Sequence, residues 1–313
     1  MTSRWIVVAA CVALAAPARA DSPDKLAVDT AADLLGGRLG VKLPKAMKLE
    51  PRGHDIMSAD ASPEEETRAV LDVGKARLVM MASEDFATVG SDFRAQVATQ
   101  VDKTAKLEAV AVAKPLLAFA YAPKPTTDQD ANLVLATWIA HPDGTVQLVS
   151  FYVNNDGARA AAAAWTNLAR KIAGTLVPGK RALDIGAGER KLESLQVTVP
   201  ARWVVTAQPG PDFIVFHLRP LAPLGSSATS GCGVYLGGFP SYQHTQAGID
   251  AKLVHMRKGK LRGADVTWHD WSDGGIPTTE AMTPYSGGTV HVFCVAKTDA
   301  DLVPLRAMME SLR

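Results

Sequence analysis

Two stretches of the chain share an opening and decide the expected fold. Residues 144–153 read GTVQLVSFYV, and residues 288–296 read GTVHVFCVA. Both are rich in β-branched and aromatic residues, which is typical of strands. Apolar residues at helical spacing follow each of them, over 161–172 and 302–312. The sequence therefore predicts a strand followed by a helix at two places in the chain.

A second pair of segments opens the two halves. Residues 40–44 read GVKLP, and residues 195–200 read LQVTVP. Segments that recur in the same order indicate an internal repeat, and 313 residues agree with two domains of about 150 residues each. The predicted organisation is a first domain over residues 21–178, a linker over 179–191 and a second, shorter domain over 192–313.

The regions between these segments read as strands joined by turns. Short apolar runs at residues 76–81, 107–113, 116–121 and 133–140 are separated by Gly and Pro, which favours antiparallel pairing. Phe93 and Val97 have helical spacing, and Ser22-Pro23 is predicted to begin another helix. The expected fold class is α+β: two tandem α/β/α sandwiches, each a mostly antiparallel sheet flanked by helices at the start and end of the unit.

The first twenty residues, MTSRWIVVAACVALAAPARA, have the pattern of a secretory signal peptide. A cation precedes a short apolar core, and Ala18-Arg19-Ala20 is a small-x-small cleavage site. Cys11 offers a lipid anchor as the alternative, but the apolar sequence continues past it. We expect a periplasmic or secreted protein that begins at Asp21. No later run reaches 18 apolar residues, so no membrane span is predicted after the leader is removed.

The composition excludes several functional classes. The chain has 33 Lys and Arg against 32 Asp and Glu, so there is no basic field for nucleic acid. Its 47% apolar content excludes wholesale disorder. No cofactor and no metal site are predicted, and the expected partner is a protein or a small ligand in the cell envelope.

One glycine-rich segment is similar to a cofactor-binding motif. Residues 183–189, LDIGAGE, are similar to the first motif of S-adenosylmethionine methyltransferases. That motif needs a crossover helix and a following acidic residue to hold the ribose. Neither fits here, because a strand begins directly afterwards and residues 203–206 are WVVT. We interpret the segment as a turn between domains.

The leader and the recurring segments together resemble a known family. A leader, the strands that end in Pro44 and Pro200, and the two Gly-Thr-Val openings at Gly144 and Gly288 resemble tandem PsbP-like domains of the DcrB type. The resemblance implies an antiparallel sheet flanked by helices, and binding or assembly roles. It implies no catalytic residues.

The candidate ligand-binding residues are Trp268, His269, Asp270 and Trp271. One interpretation is a metal or acid–base site that uses His269, Asp270 and His244. The other is a strand that ends in a polar turn, with the two tryptophans buried or forming a surface platform. The leading functional hypothesis is an exported, non-catalytic binding or assembly module. The alternatives are a hydrolase with its site near His269 and Asp270, and a structural subunit of an envelope complex.

Two cysteines, Cys232 and Cys294, remain after the leader. An oxidising compartment favours a disulfide between them. Alternatively, each position holds a small buried side chain and both thiols are free.

Overall fold

The computed structural model describes residues 22–50, 66–124, 126, 131–154, 161–226 and 230–313. The predicted signal peptide and its cleavage site lie outside the described residues.

The first half of the chain forms a hairpin and a large antiparallel sheet. Its elements are β1 (Thr30–Leu34), β2 (Leu39–Leu43), β3 (Lys48–Glu50), β4 (Glu66–Val73), β5 (Ala76–Thr88), α1 (Phe93–Ala98), β6 (Glu108–Val110), β7 (Leu117–Tyr121), β8 (Ala131–Ala140), β9 (Thr145–Asn154), α2 (Ala162–Ala173) and β10 (Val177–Pro178). Strands β1, β2 and β10 form a small sheet. The large sheet has the order β3-β4-β5-β9-β8-β7-β6.

The second half forms another hairpin and another large antiparallel sheet. Its elements are β11 (Gly188–Leu192), β12 (Leu195–Val199), β13 (Trp203–Pro209), β14 (Phe213–Pro220), β15 (Ala222–Pro223), β16 (Gly231–Gly237), α3 (Gln243–Gln246), β17 (His255–Leu261), β18 (Ala264–Asp273), β19 (Ile276–Tyr285), β20 (Gly288–Val295) and α4 (Asp299–Glu310). Strands β11 and β12 form the hairpin, and the large sheet has the order β13-β14-β16-β20-β19-β18-β17.

The two large sheets therefore have the same topology. In each sheet, three strands lie side by side in sequence order, β3, β4 and β5 in the first and β13, β14 and β16 in the second. The strand that is last in sequence, β9 or β20, comes next, and the remaining three strands follow in reverse sequence order. The chain must cross one face of the sheet to reach the far edge. We call residues 89–107 the first crossover segment and residues 238–254 the second crossover segment. The domain boundaries at residues 178 and 192 stay a prediction.

The Gly-Thr-Val openings have a conformational reason. Gly144 and Gly288 both have positive φ, +82° and +132°, where a side chain is strained. A Cβ on Gly288 would also lie 2.5 Å from the carbonyl oxygen of Gly237. Glycine therefore lets the chain turn into the last strand of each sheet.

The main core of each half lies between the large sheet and its terminal helix. Helix α2 buries Trp165 and Leu168 against the first sheet, and α4 buries Leu302 and Met309 against the second. These helices follow the predicted apolar spacing, because burial of one apolar stripe is the main source of helix stability in a protein.

The opposite face of the first sheet has an apolar core of its own. Phe93 and Val97 of α1, in the first crossover segment, pack with Phe119, Trp138 and Val146 of the sheet. The helix predicted from the spacing of Phe93 and Val97 therefore forms.

The predicted α/β/α sandwich is wrong, because the fold is β-rich. The described residues form four α-helices, and only α2 and α4 reach twelve residues. The helix predicted to begin at Ser22-Pro23 is a three-residue 3-10 turn followed by β1. Five residues of β1 pair with β2, so sheet pairing outweighs local propensity and each half begins with a hairpin. Among the residues that the structure describes, no helix is long and apolar enough to cross a bilayer.

A short segment of the second half binds the first. Strand β15 pairs in parallel with the end of β5. Leu224 is buried in the apolar core beneath the first crossover segment, and the guanidinium of Arg219 lies 4.8 Å from the ring centre of Phe86. We call residues 219–224 the connecting segment.

Candidate functional site

A group of polar and aromatic side chains lies between the second sheet and the second crossover segment. Strand β18 contributes His269, β19 contributes Glu280 and β20 contributes His291, while the crossover segment contributes Tyr242 and His244. We call these five residues the histidine cluster. They lie on the face of the sheet opposite α4.

Glu280 is fully buried at the centre of the histidine cluster. Its carboxylate accepts hydrogen bonds from the ring of His244 (2.7 Å), the ring of His291 (2.8 Å) and the indole N–H of Trp271 (3.2 Å). The backbone N–H groups of Gln243 and His244 donate to it at 2.7 and 2.9 Å. One carboxylate therefore holds the crossover segment onto the sheet.

These partners keep Glu280 ionised. Burial opposes ionisation, but the hydrogen bonds from His291, from the two backbone N–H groups and from His244 lower the pKa of Glu280 to about 2. A carboxylate can only accept hydrogen bonds. Both ring nitrogens that face Glu280, Nδ1 of His244 and Nε2 of His291, must therefore carry the proton.

The outer part of the cluster is a stack of rings that is partly open to solvent. Tyr242 stacks on His269 with ring centres 4.4 Å apart, and His244 lies 5.0 Å from His269. Burial, and next the charge of His244, lower the pKa of His269, so this ring favours its neutral form. Burial and the charge of Glu280 raise the pKa of Tyr242.

The first half has apolar side chains where the second has this cluster. Phe119 on β7 is paired directly with Trp138 on β8, as His269 on β18 is paired with Glu280 on β19. The topology therefore does not require polar residues on this face. A buried carboxylate and its partners are costly to desolvate, and the first half has an apolar core at the corresponding place.

The structure separates the four residues predicted to bind a ligand. His269 and Trp271 face the crossover segment. Trp268 is fully buried in the main core. Asp270 faces α4, where Arg306 donates to it at 2.8 Å and the hydroxyl of Thr279 also donates to it. His269 and Asp270 are neighbours in sequence on opposite faces of a strand, so they do not form an acid–base pair.

Sequence reasoning missed three members of the cluster. Tyr242, Glu280 and His291 have no motif spacing. One usable signal is local: His291 lies between Val290 and Val292 in an apolar run. Glu280 has no such signal. His244 was included in the predicted metal or acid–base site and does lie beside His269.

The predicted disulfide is present. Cys232 on β16 and Cys294 on β20 are directly paired, with Cα atoms 4.0 Å apart, and both are buried on the α4 side of the sheet. The bridge joins two central strands of the second sheet and takes no part in the histidine cluster.

A second buried polar group lies at the end of the first sheet. Arg38, in the turn between β1 and β2, forms ion pairs with Glu84 and with Asp143 (2.9 Å). The Nε2 of His141 donates to the carbonyl oxygen of Arg38 at 3.1 Å, and Gln147 donates to Glu84 at 2.9 Å. Arg38 and Glu84 are almost inaccessible, so this group fastens the first hairpin to the sheet.

The segment similar to a methyltransferase motif forms no nucleotide cradle. Residues 180–187 are a loop, and Asp184 accepts a hydrogen bond from Arg190 at 2.9 Å. The chain then enters β11 without a crossover helix.

Comparison with known proteins adds little. No protein-family model and no curated protein match the chain. A crystal structure of MucB in complex with MucA(peri) is 10% identical, with a TM-score of 0.20 over 85% of this chain and 90% of that chain. A complex structure of Pseudomonas aeruginosa MucA/MucB is also 10% identical, with a TM-score of 0.20 over 88% of each chain. An acyl-CoA thioesterase II TesB2 from Mycobacterium marinum is 9% identical, with a TM-score of 0.11 over 71% and 94%. Such low scores support no conclusion about fold or function. The PsbP-like resemblance stays a prediction.

Proposed function

We propose that the chain is an exported, non-catalytic binding or assembly protein whose ligand contacts the histidine cluster. One observation carries the proposal. The second sheet has buried and half-buried polar rings on the face where the first sheet, of the same topology, has a closed apolar core.

The geometry favours binding over hydrolysis. The Glu280 carboxylate is occupied by five donors, so it is not available to activate a nucleophile. Acid–base catalysis would need a donor–acceptor pair within hydrogen-bond reach of the substrate. His269 and Asp270, the pair proposed for the hydrolase alternative, face opposite sides of the sheet, which leaves that alternative without support.

Apolar side chains beside the cluster suit a protein or small-ligand partner. Met256 is directly paired with His269 and shares its face, yet 73% of its surface is exposed. Leu253, at the end of the second crossover segment, is 62% exposed. Exposed apolar groups next to oriented polar groups are a common feature of binding sites.

Two further observations support export. The leader has the form of a cleaved secretory signal, and the chain contains a disulfide, which persists mainly in oxidising compartments.

Photocrosslinking in the producing cell tests the proposal. We replace Met256 with p-benzoylphenylalanine, irradiate intact cells and identify adducts by mass spectrometry. The matched control carries the same probe at Val303, which is 59% exposed on α4, on the other side of the sheet. We expect a discrete adduct at position 256 that is absent at position 303 and is lost when Tyr242 is changed to Ala. Equal labelling at both positions, or none at 256, would refute the proposed site.

A further inference from the structure

The histidine cluster has ligand atoms that its hydrogen bonds do not use. Nδ1 of His244 donates to Glu280, so the Nε2 of the same ring carries a lone pair in the neutral form. The Nδ1 of His269 is buried and has no hydrogen-bond partner among the described residues. A buried polar atom without a partner is costly, and a ligand bound at this nitrogen would remove that cost.

The spacing of the two rings suits one metal ion. The ring centres of His244 and His269 are 5.0 Å apart. Two imidazoles that bind one tetrahedral zinc ion at about 2.0–2.1 Å from each nitrogen have ring centres about 5 Å apart. Imidazole nitrogens are the commonest protein ligands for such ions.

Glu280 has the place of a carboxylate that supports a metal ligand. Metal-binding histidines almost always donate their other ring N–H to a carboxylate or a carbonyl, which fixes the tautomer and the ring orientation. Glu280 accepts such a hydrogen bond from His244 and is itself fully buried. On the corresponding strands of the first half, the paired positions hold Phe119 and Trp138 instead.

We propose that His244 and His269 bind a divalent transition-metal ion, of which Zn²⁺ is the test case, with Glu280 orienting His244. No three His, Cys, Asp or Glu side chains within the described ranges already surround one point. Water, or a group from the partner, therefore completes the coordination. The inference rests on the proposed function, since it takes the same cluster as the site and gives its ligand a metal-centred contact.

Calorimetry of the full chain, prepared without a His tag and freed of metal with EDTA before dialysis, tests the inference. ZnCl₂ is the titrant. We expect one Zn²⁺ per chain, and affinity at least tenfold weaker in His244→Ala and in His269→Phe. Phenylalanine keeps a ring stacked on Tyr242 and matches Phe119 of the first half. Glu280→Gln should weaken affinity by about 10–100-fold, the usual effect of losing such a carboxylate. With Cu²⁺, the nitrogen splitting in the electron paramagnetic resonance spectrum should diminish in both histidine variants.

His255→Ala is the matched control, because His255 is exposed on β17 and belongs to no cluster. Its affinity should equal that of the wild type. The inference is overturned if the wild type binds no stoichiometric Zn²⁺, if His244→Ala binds as the wild type does, or if His255→Ala is weakened equally. His244 donates to the buried Glu280, so urea denaturation establishes that His244→Ala is folded before it is titrated. His269→Phe keeps that hydrogen bond and serves as the second variant. Photocrosslinking at position 256 does not depend on this result, so the two proposals can fail separately.

Discussion

At the scale of single residues, two buried carboxylates have different tasks. Glu84 faces Arg38, and both side chains are almost inaccessible to solvent. Glu280 faces three side chains and two backbone N–H groups, and the rings around it reach the surface. Burial of a charge is costly in both places. The first holds a hairpin in place, and the second holds a crossover segment that carries the candidate site.

Replacing Glu280 with Gln should destabilise the second half. The amide loses the charge and turns an NH₂ group toward donors, so one or two buried groups lose their partners. We expect a loss of about 1–3 kcal/mol in the free energy of unfolding, measured by urea denaturation. Glu310→Gln, at an exposed position of α4, is the matched control and should change stability little. Equal effects of the two substitutions would contradict the role given to Glu280.

The pKa of Asp143 predicts how the stability of the first half changes at low pH. Burial opposes its ionisation, but hydrogen bonds from His141 and Thr145 and the charge of Arg38 outweigh it and hold the pKa of Asp143 well below its usual range. A lowered folded-state pKa means that this stability is present above the unfolded value of about 3.9 and is lost as the pH falls below it. In Asp143→Asn, the loss of stability between neutral pH and about pH 3 should be smaller than in the wild type. Urea denaturation across that range measures it, and an identical pH slope in both proteins would count against the assignment.

Single residues also show where sequence reasoning ends. His244 and His269 could be named because five of the seven histidines lie between His217 and His291. Glu280 could not, because the sequence does not show which segment crosses which face of a sheet. The same lack of information made Trp268 and Asp270 look like neighbours of His269, although they belong to the other face.

At the scale of elements, the closing strand–helix pairs and one strand of each opening hairpin are predictable from the sequence, and the partner of that strand is not. Apolar periodicity defines α2 and α4 locally. The hairpins β1–β2 and β11–β12 depend on pairing between segments, which local propensity does not reveal. The strand order follows from the long crossovers, which local sequence patterns do not show.

The disulfide between Cys232 and Cys294 is an element-scale feature with a measurable effect. It closes a loop of 62 residues, which in the chain-entropy model stabilises the fold by about 4 kcal/mol. The double variant Cys232→Ala/Cys294→Ala should unfold at a correspondingly lower urea concentration. Dithiothreitol should lower the midpoint of the wild type and leave that of the variant unchanged. Two titratable thiols in the denatured, unreduced wild type would show that the bridge does not form.

At the scale of the whole molecule, the connecting segment makes the first half depend on the second. Leu224 belongs to the second half in sequence but fills the apolar core beneath the first crossover segment. The parallel pairing of β15 with β5 holds it there.

Leu224→Ala should therefore destabilise the first half. Truncation of a buried leucine costs about 2–5 kcal/mol, and the lower end is expected at this edge of the core. Hydrogen exchange should accelerate in α1 and at the end of β5, while β18–β20 remain protected. Val303→Ala, exposed on α4, serves as the matched control. Faster exchange in β18–β20 instead would show that Leu224 does not act on the first half.

The connecting segment also sets an order of events during synthesis. A chain is made from its N-terminus, and domains generally fold as units as they emerge. The first sheet has all of its own strands once residue 154 has been made, but its second apolar core lacks one side chain until residue 224 follows. For the intervening 70 residues of synthesis, the underside of the first crossover segment is an unfinished surface, and a chaperone that recognises exposed phenylalanine and tryptophan would find its target there.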